Sequence, residues 1–280
     1  LKQRIITALI LAPLVILGIF QLPLIGFIIA LTAITLLGFW EWTQFTHNRS
    51  RLLALIPALI ITGLSFFVIP SDPESLNQFS TSHYAILAFG SMWWIIASGL
   101  VVTYPKSTCC WQNNNLLRHM FGFLTLLPFL WAVIFLRATD ITVDPYHGAK
   151  LVLYVCFLVW AADSGAYFAG KSLGKHKMAP KVSPNKTIEG LIGGLIAALL
   201  VGYFFADWFN IHFSSTVNMI VITSVTVVIS VLGDLAESMF KRVSGIKDSS
   251  NIIPGHGGIL DRIDSLTAAF PVFAFLYYVL

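Results

Sequence analysis

SMFKRVSGIKDSSNIIPGHGGILDRID, residues Ser238–Asp264, is where an almost wholly apolar chain turns abruptly charged. The run holds two Lys, two Arg, three Asp and one His, and it lies between two segments apolar enough to cross a bilayer. Charge at that density beside a membrane is costly unless it binds something. The mixture of cations, carboxylates and glycines is the one a site for phosphates and metal ions needs.

Outward from this run the chain is 57% hydrophobic and only 11% charged. Soluble domains carry about 25% charged residues, so composition predicts an integral membrane protein. The apolar runs lack the alternation of a β-barrel, which leaves helices as the spanning structure. Nine spans are predicted: residues 5–20, 24–40, 52–70, 84–104, 116–136, 151–170, 191–208, 217–240 and 265–280. The first, second and last are short of the roughly 20 residues that cross a typical hydrocarbon core. Only Gln21, Leu22 and Pro23 join the first two, which predicts a tight helical hairpin, with a re-entrant pair as the competing arrangement. The first run shows no small-residue cleavage site and is expected to remain as a span rather than be removed.

All basic residues except Arg137 and Lys150 fall in alternate loops. By the positive-inside rule the N-terminus is expected in the cytoplasm and the C-terminus outside, an arrangement that needs an odd number of spans. The fold class expected is therefore all-α and polytopic, with about nine transmembrane helices. Residues 1–150 (about five spans) show no chemical signature. Their Trp93, Trp94 and Trp131 read as lipid-facing or interfacial anchors. Residues 151–280 (about four spans and two polar loops) carry the chemistry. No internal repeat is evident.

Three acids, Asp163, Asp234 and Glu237, fall inside predicted spans, where ionised groups are rare and usually functional. Asp163 precedes Gly170 by seven residues, and Asp234 precedes Lys241 by seven. Each is thus roughly 10 Å inside the same side of the membrane. Asp234, Glu237, Ser238 and Lys241 share one helix face through i, i+3, i+4, i+7 spacing. A purely structural arrangement competes, in which Glu237 pairs with Lys241 and Asp163 caps a neighbouring helix. Neither Asp163 nor Asp234 has an obvious cation four residues away, so a shared hard cation such as magnesium is expected between them.

Two loops add to the acids. In the first, Lys171, Lys175 and Lys177 read as orientation charges and attraction to anionic lipid. Ser183, Asn185, Lys186 and Thr187 stand before the next helix, where backbone N–H groups favour an anion. The glycines of a Walker A loop are missing there. In the second, Gly255, Gly257 and Gly258 permit close backbone approach to a phosphate. Asp261 and Asp264 sit three apart at a helix start, and Lys241, Arg242, Lys247 and Arg262 supply positive charge. His256, between glycines, is a candidate donor or acid.

Lys241-Arg242, Lys247-Asp248, Pro254-Gly255-His256-Gly257-Gly258 and Asp261-Arg262-Ile263-Asp264 together resemble the signature of the phosphatidate cytidylyltransferases, the CDP-diacylglycerol synthases. Trp160, Asp163, Ala166-Tyr167, Gly170, Ser183 through Gly190, Gly233-Asp234 and Glu237-Ser238 extend the likeness, which is close over residues 160–265 and rests on hydropathy alone before that. The resemblance implies a multi-helix membrane enzyme, homodimeric, that joins CTP and phosphatidic acid into CDP-diacylglycerol and pyrophosphate. It also implies a required divalent metal, magnesium, with a second cation allowed, and membrane lipid but no nucleic acid as partner. The site would face the cytosol from a bacterial inner membrane.

On that basis the expected metal ligands are Asp234, Asp261, Asp264 and Glu237. The expected catalytic groups are Asp163, Lys241, Arg242, Asp248, His256 and Arg262. Ser183, Asn185, Lys186, Thr187, Lys247, Gly255, Gly257 and Gly258 would bind substrate. Two other functions compete. A CTP-dependent lipid kinase of the dolichol- or phytol-kinase sort would need a base for an alcohol nucleophile. An ion-coupled transporter would place its acids near the midplane, usually with repeats.

Overall fold

A computed structural model of the protein describes residues 2–46, 50–77, 80–255 and 257–280. Ten helices dominate it: α1 Lys2–Gln21, α2 Leu24–Trp42, α3 Arg51–Val68, the short α4 Pro73–Asn77, α5 Thr81–Val102, α6 Asn115–Ala138, α7 His147–Leu173, α8 Ile188–Phe209, α9 Thr216–Val243 and α10 Leu260–Val279. A helix overlaps each of the nine predicted spans, though α3, α5 and α10 end one or two residues short of theirs. Among the described residues seven stretches, those of α2, α3 and α5 through α9, are long and apolar enough to cross a membrane; α1 and α10 are not among them. Among the described residues the all-α expectation meets one exception, a small antiparallel hairpin of β1 Lys177–Ala179 and β2 Ser183–Thr187. That segment reads as a loop in the sequence because its lysines and prolines hide the pairing.

Apolar sequence forms helices here because each backbone N–H and C=O must be satisfied within its own segment once water is excluded. Polar side chains mark where several begin. Ser50, Asn114, Thr187 and Ser215 accept from the backbone N–H groups of Leu53, Leu117, Gly190 and Asn218, as N-caps do.

The core centres on α6, whose residues Phe129–Leu136 are all buried. Trp93, Trp94 and Trp131, expected at the lipid boundary, lie instead inside the bundle at 2%, 3% and 0% exposure. Their indole N–H groups bond Thr125 Oγ1, the Thr267 carbonyl and Ser65 Oγ, each at 3.0 Å. A tryptophan can enter a core when its one donor finds a partner there. Two buried arginines anchor α6 near its ends. Arg118 donates to the carbonyls of Phe45 (2.5 Å) and Gln112, while Arg137 donates to those of Ile19 (2.9 Å) and Leu22 (3.3 Å) at the α1–α2 turn.

Small residues set the packing that shapes the site. Helices α7 and α8 form the most extensive helix pair. Side chains added at Gly165 or Gly193 would strike Ala197 Cβ at 2.6 Å or Ala169 Cβ at 2.2 Å, so the two backbones nearly touch. Gly233 of α9 likewise faces Ala268 of α10, where a Cβ would come within 2.5 Å.

Candidate active site

Because α7 and α8 approach so closely, the strand that leads into α8 is carried to the side of α7 that bears Asp163. Lys186, on β2, reaches across to α9: its Nζ lies 2.6 Å from Asp234 Oδ2 and 3.3 Å from the Val231 carbonyl. Asp163 is exposed, makes no hydrogen bond or ion pair among the described residues, and lies within electrostatic range of Lys186, Asp234 and Arg262. It is ten residues from the end of α7, and Asp234 is nine from the end of α9. The two acids therefore sit at matching depth, about 14 Å from their helix ends. The Gly233 contact brings α10 alongside, and Asp264 lies within range of Asp234, Lys186 and Lys241. One oxygen of Asp264 accepts the Ser265 N–H at 2.8 Å.

Behind this open face lies a buried layer. Lys241 Nζ bridges Glu237 (3.0 Å) and Asp261 (2.8 Å), with all three side chains at most 11% exposed. Asp261 also accepts from Ser249 N (2.8 Å), Ser249 Oγ (2.9 Å) and Gly258 N (2.8 Å). A carboxylate this thoroughly bonded is saturated, and the ammonium spends two of its three donors on the two acids.

The geometry thus divides the expected metal ligands. Asp261 and Glu237 serve Lys241 rather than meeting Asp234 at one point. Among the described residues no three carboxylate, imidazole or thiolate groups converge closely enough to chelate an ion as they stand. Asp163 has no bonded partner among the described residues, Asp264 has one oxygen taken by its neighbour's N–H, and Asp234 is held by Lys186 at 2.6 Å and Ser238 Oγ at 3.4 Å, so an oxygen-liganded cation at these three acids would have to displace Lys186.

Of the other expected residues, Arg262, Arg242, Lys247 and Asp248 are exposed. Arg242 Nε bonds the Val182 carbonyl at 3.3 Å, joining the end of α9 to the hairpin. Ser183 and Asn185 lie on β2 with Lys186. Thr187 is buried at 5%, and its hydroxyl caps α8 by accepting the Gly190 N–H at 3.1 Å. That hydroxyl serves the fold as the N-cap of α8. His256 lies outside the described residues.

Gly255 and Gly257 have φ of 75° and 79°, the left-handed region that glycine enters without penalty. Gly258 is constrained by space instead, since a Cβ there would fall 2.1 Å from Ser249 Oγ and 2.5 Å from Glu41 Oε1.

Glu41 has no place in the sequence-based site. It sits near the end of α2, is fully buried, and faces four donors of the charged run at hydrogen-bonding distance: Ser250 Oγ (2.5 Å), Ile259 N (3.0 Å), Leu260 N (2.6 Å) and the Ser249 hydroxyl it shares with Asp261 (3.0 Å). The one available signal was an acid near the end of an otherwise apolar span. Nothing along the chain ties it to residues more than 200 positions away.

A bundle of membrane-length helices that gathers acids, exposed cations and a glycine-bearing loop at one end defines a polytopic membrane protein built to handle phosphate groups. The chain belongs to the cytidylyltransferase family, whose model matches residues 2–280. It is 46% identical to the phosphatidate cytidylyltransferase of Haemophilus influenzae over 99% of both chains. The corresponding proteins of Pseudomonas aeruginosa and Bacillus subtilis are 40% and 34% identical, over 99% and 100% of this chain and 97% of each relative.

Proposed function

We propose that the protein transfers the cytidylyl group of CTP to phosphatidic acid, releasing pyrophosphate and leaving CDP-diacylglycerol in the membrane for phospholipid synthesis. The observation that carries this reading is the open face on which Lys186 pairs with Asp234 beside Asp163 and Arg262, on a chain similar throughout to phosphatidate cytidylyltransferases.

In the reaction a phosphate oxygen of phosphatidate forms a bond to the α-phosphorus of CTP, and the bond from that phosphorus to the pyrophosphate oxygen breaks. A phosphate monoester has a second pKa near 6, so its attacking oxygen is already largely deprotonated at neutral pH and needs no strong general base. The obstacle is repulsion between anions. Arg262, Arg242 and Lys247, all exposed, would neutralise phosphates, with arginine able to bind in bidentate fashion. Lys186 would hold a further anionic oxygen once a substrate competes for its ammonium. The Gly255–Gly258 turn would bring backbone N–H groups to the nucleotide. Lys241, enclosed by Glu237 and Asp261, would hold the framework and not touch substrate. Asp163, Asp234 and Asp264 would bind magnesium, which when present supplies positive charge to the phosphates.

CTP is soluble and phosphatidate is a lipid, so the site must meet both water and the inner-leaflet surface. The alternation of basic loops supports nine spans with the N-terminus in the cytoplasm, an active site facing the cytosol, and residence in a bacterial inner membrane. Residues 151–280 would carry most of the chemistry on a framework supplied by residues 1–150, and the working unit would be a homodimer. Incubation of purified protein and phosphatidate with CTP labelled at the α- or γ-phosphate tests the reaction. Label is expected in lipid from the α-position only and only with magnesium. Label from the γ-position would make the protein a lipid kinase and overturn the reading.

A further inference from the structure

We infer that Glu41 is a positioning residue for this reaction: from the N-terminal half of the chain, its carboxylate fixes the 249–260 loop and the start of α10, and thereby the Asp261–Lys241 pair behind the open face. The inference rests on the proposed reaction for its consequence, but its geometry is independent of it.

Helix α10 begins without a cap of its own. Ile259, the residue before its first turn, supplies no side-chain hydrogen bond. The first N–H groups of a helix have no partner within it, and when buried they need one. Here the partner is Glu41, which takes the Ile259 and Leu260 N–H groups on its two oxygens at 3.0 and 2.6 Å. An anion at that place also meets the positive end of the helix dipole. A carboxylate from α2 thus replaces the local cap, and α10 cannot leave α2 without stripping the partner from one buried and one part-buried donor.

The same carboxylate reaches Asp261 through one shared atom. Ser249 Oγ lies 3.0 Å from Glu41 Oε2 and 2.9 Å from Asp261 Oδ2. A hydroxyl carries a single hydrogen and can donate it to only one of them at a time. Ser249, fully buried, therefore couples the two acids, and its backbone N–H continues to Asp261. Gly258 leaves the space in which Ser249 and Glu41 meet. The Gln44 side-chain amide donates to the Ser249 carbonyl, so the turn that follows α2 holds the loop at a second point. Buried Arg118, bonded to the Phe45 carbonyl, fixes the segment that presents both Glu41 and Gln44.

The test replaces Glu41 with Gln, which keeps size and removes one acceptor, and Ser250 with Ala, which removes the half-buried hydroxyl that donates to Glu41 at 2.5 Å and accepts the exposed Ile252 N–H at 3.3 Å. Thr35→Val, a buried hydroxyl on the same helix that bonds only within it, is the control for simple loss of stability. Each is measured in detergent for melting temperature, for kcat and KM on the folded fraction, and for hydrogen exchange at Ser249, Ile259 and Leu260.

Glu41→Gln is expected to lower kcat tenfold or more with KM for CTP changed less than threefold, and to speed exchange at Ile259 and Leu260 at least tenfold. Ser250→Ala should lower kcat several-fold, and Thr35→Val should leave kcat unchanged. Wild-type kcat in Glu41→Gln, or in Ser250→Ala should the first variant not fold, overturns the inference. So does a loss of activity that only follows the loss of folded protein. Absence of cytidylyl transfer by the wild-type protein would overturn the proposed reaction instead; the exchange rates would then decide the role of Glu41 alone, with unchanged protection at Ile259 and Leu260 refuting it.

Discussion

Replacing Lys241 with Met removes the ammonium that joins two buried acids. Lys241 Nζ lies 3.0 Å from Glu237 and 2.8 Å from Asp261, and the three side chains are 11%, 5% and 4% exposed. Solvent screens such a group little, so the variant leaves two carboxylates facing each other in a desolvated space. Asp261 retains its three donors from Ser249 and Gly258, whereas Glu237 keeps no other hydrogen bond among the described residues. Deleting one partner of a buried ion pair costs about 3–5 kcal/mol. At about 2–4 °C per kcal/mol for a chain of this size, the melting temperature in detergent should fall by roughly 6–20 °C. Because the stranded charge is mainly that of Glu237, adding Glu237→Gln should recover most of the loss. Scanning fluorimetry of wild type, single and double variants in one micelle decides it. A single variant that melts within about 2 °C of wild type, or a double variant no better than the single, would refute the account of Lys241 as an internal counter-ion.

Other substitutions probe the open face and the loop. Asp234→Asn should lower kcat about 100-fold, the scale of losing one preorganised charged group, while melting changes little because Asp234 and Lys186 are about a quarter exposed. Radiolabelled CTP incorporation across a magnesium titration checks it. Gly258→Ala should destabilise by about 1–3 kcal/mol, since its Cβ would overlap Ser249 and Glu41 and force the loop outward. Melting temperature and hydrogen exchange of the loop report that displacement.

Much of the bundle was legible because helix formation in an apolar chain depends on local sequence. Each predicted span meets a helix, and even the Glu237–Lys241 pair follows from i, i+4 spacing. Contacts between distant segments were not legible. Asp234 has no cation within four residues on its own helix, and its partner Lys186 arrives on a strand from 48 residues upstream. Asp261 read as a metal ligand because three apart from Asp264 places both near one helix start. Its contacts in space with Lys241 and Ser249 come from segments that spacing along the chain does not connect to it. Glu41 was passed over for the same reason. Trp93, Trp94 and Trp131 misled because their hydroxyl and carbonyl partners lie on other helices, invisible to hydropathy.

Arg118 and Arg137 stand nineteen residues apart on α6, each turned inward onto carbonyl oxygens of neighbouring segments. That is about 28 Å of helix, close to the thickness of the oily slab it would traverse. A shift of the pillar along the membrane normal would drag one guanidinium, with everything it grips, toward the lipid midline, where charge is expensive. Paired anchors of this kind would set the depth of α6, and a thinner bilayer would be met by leaning rather than by sliding.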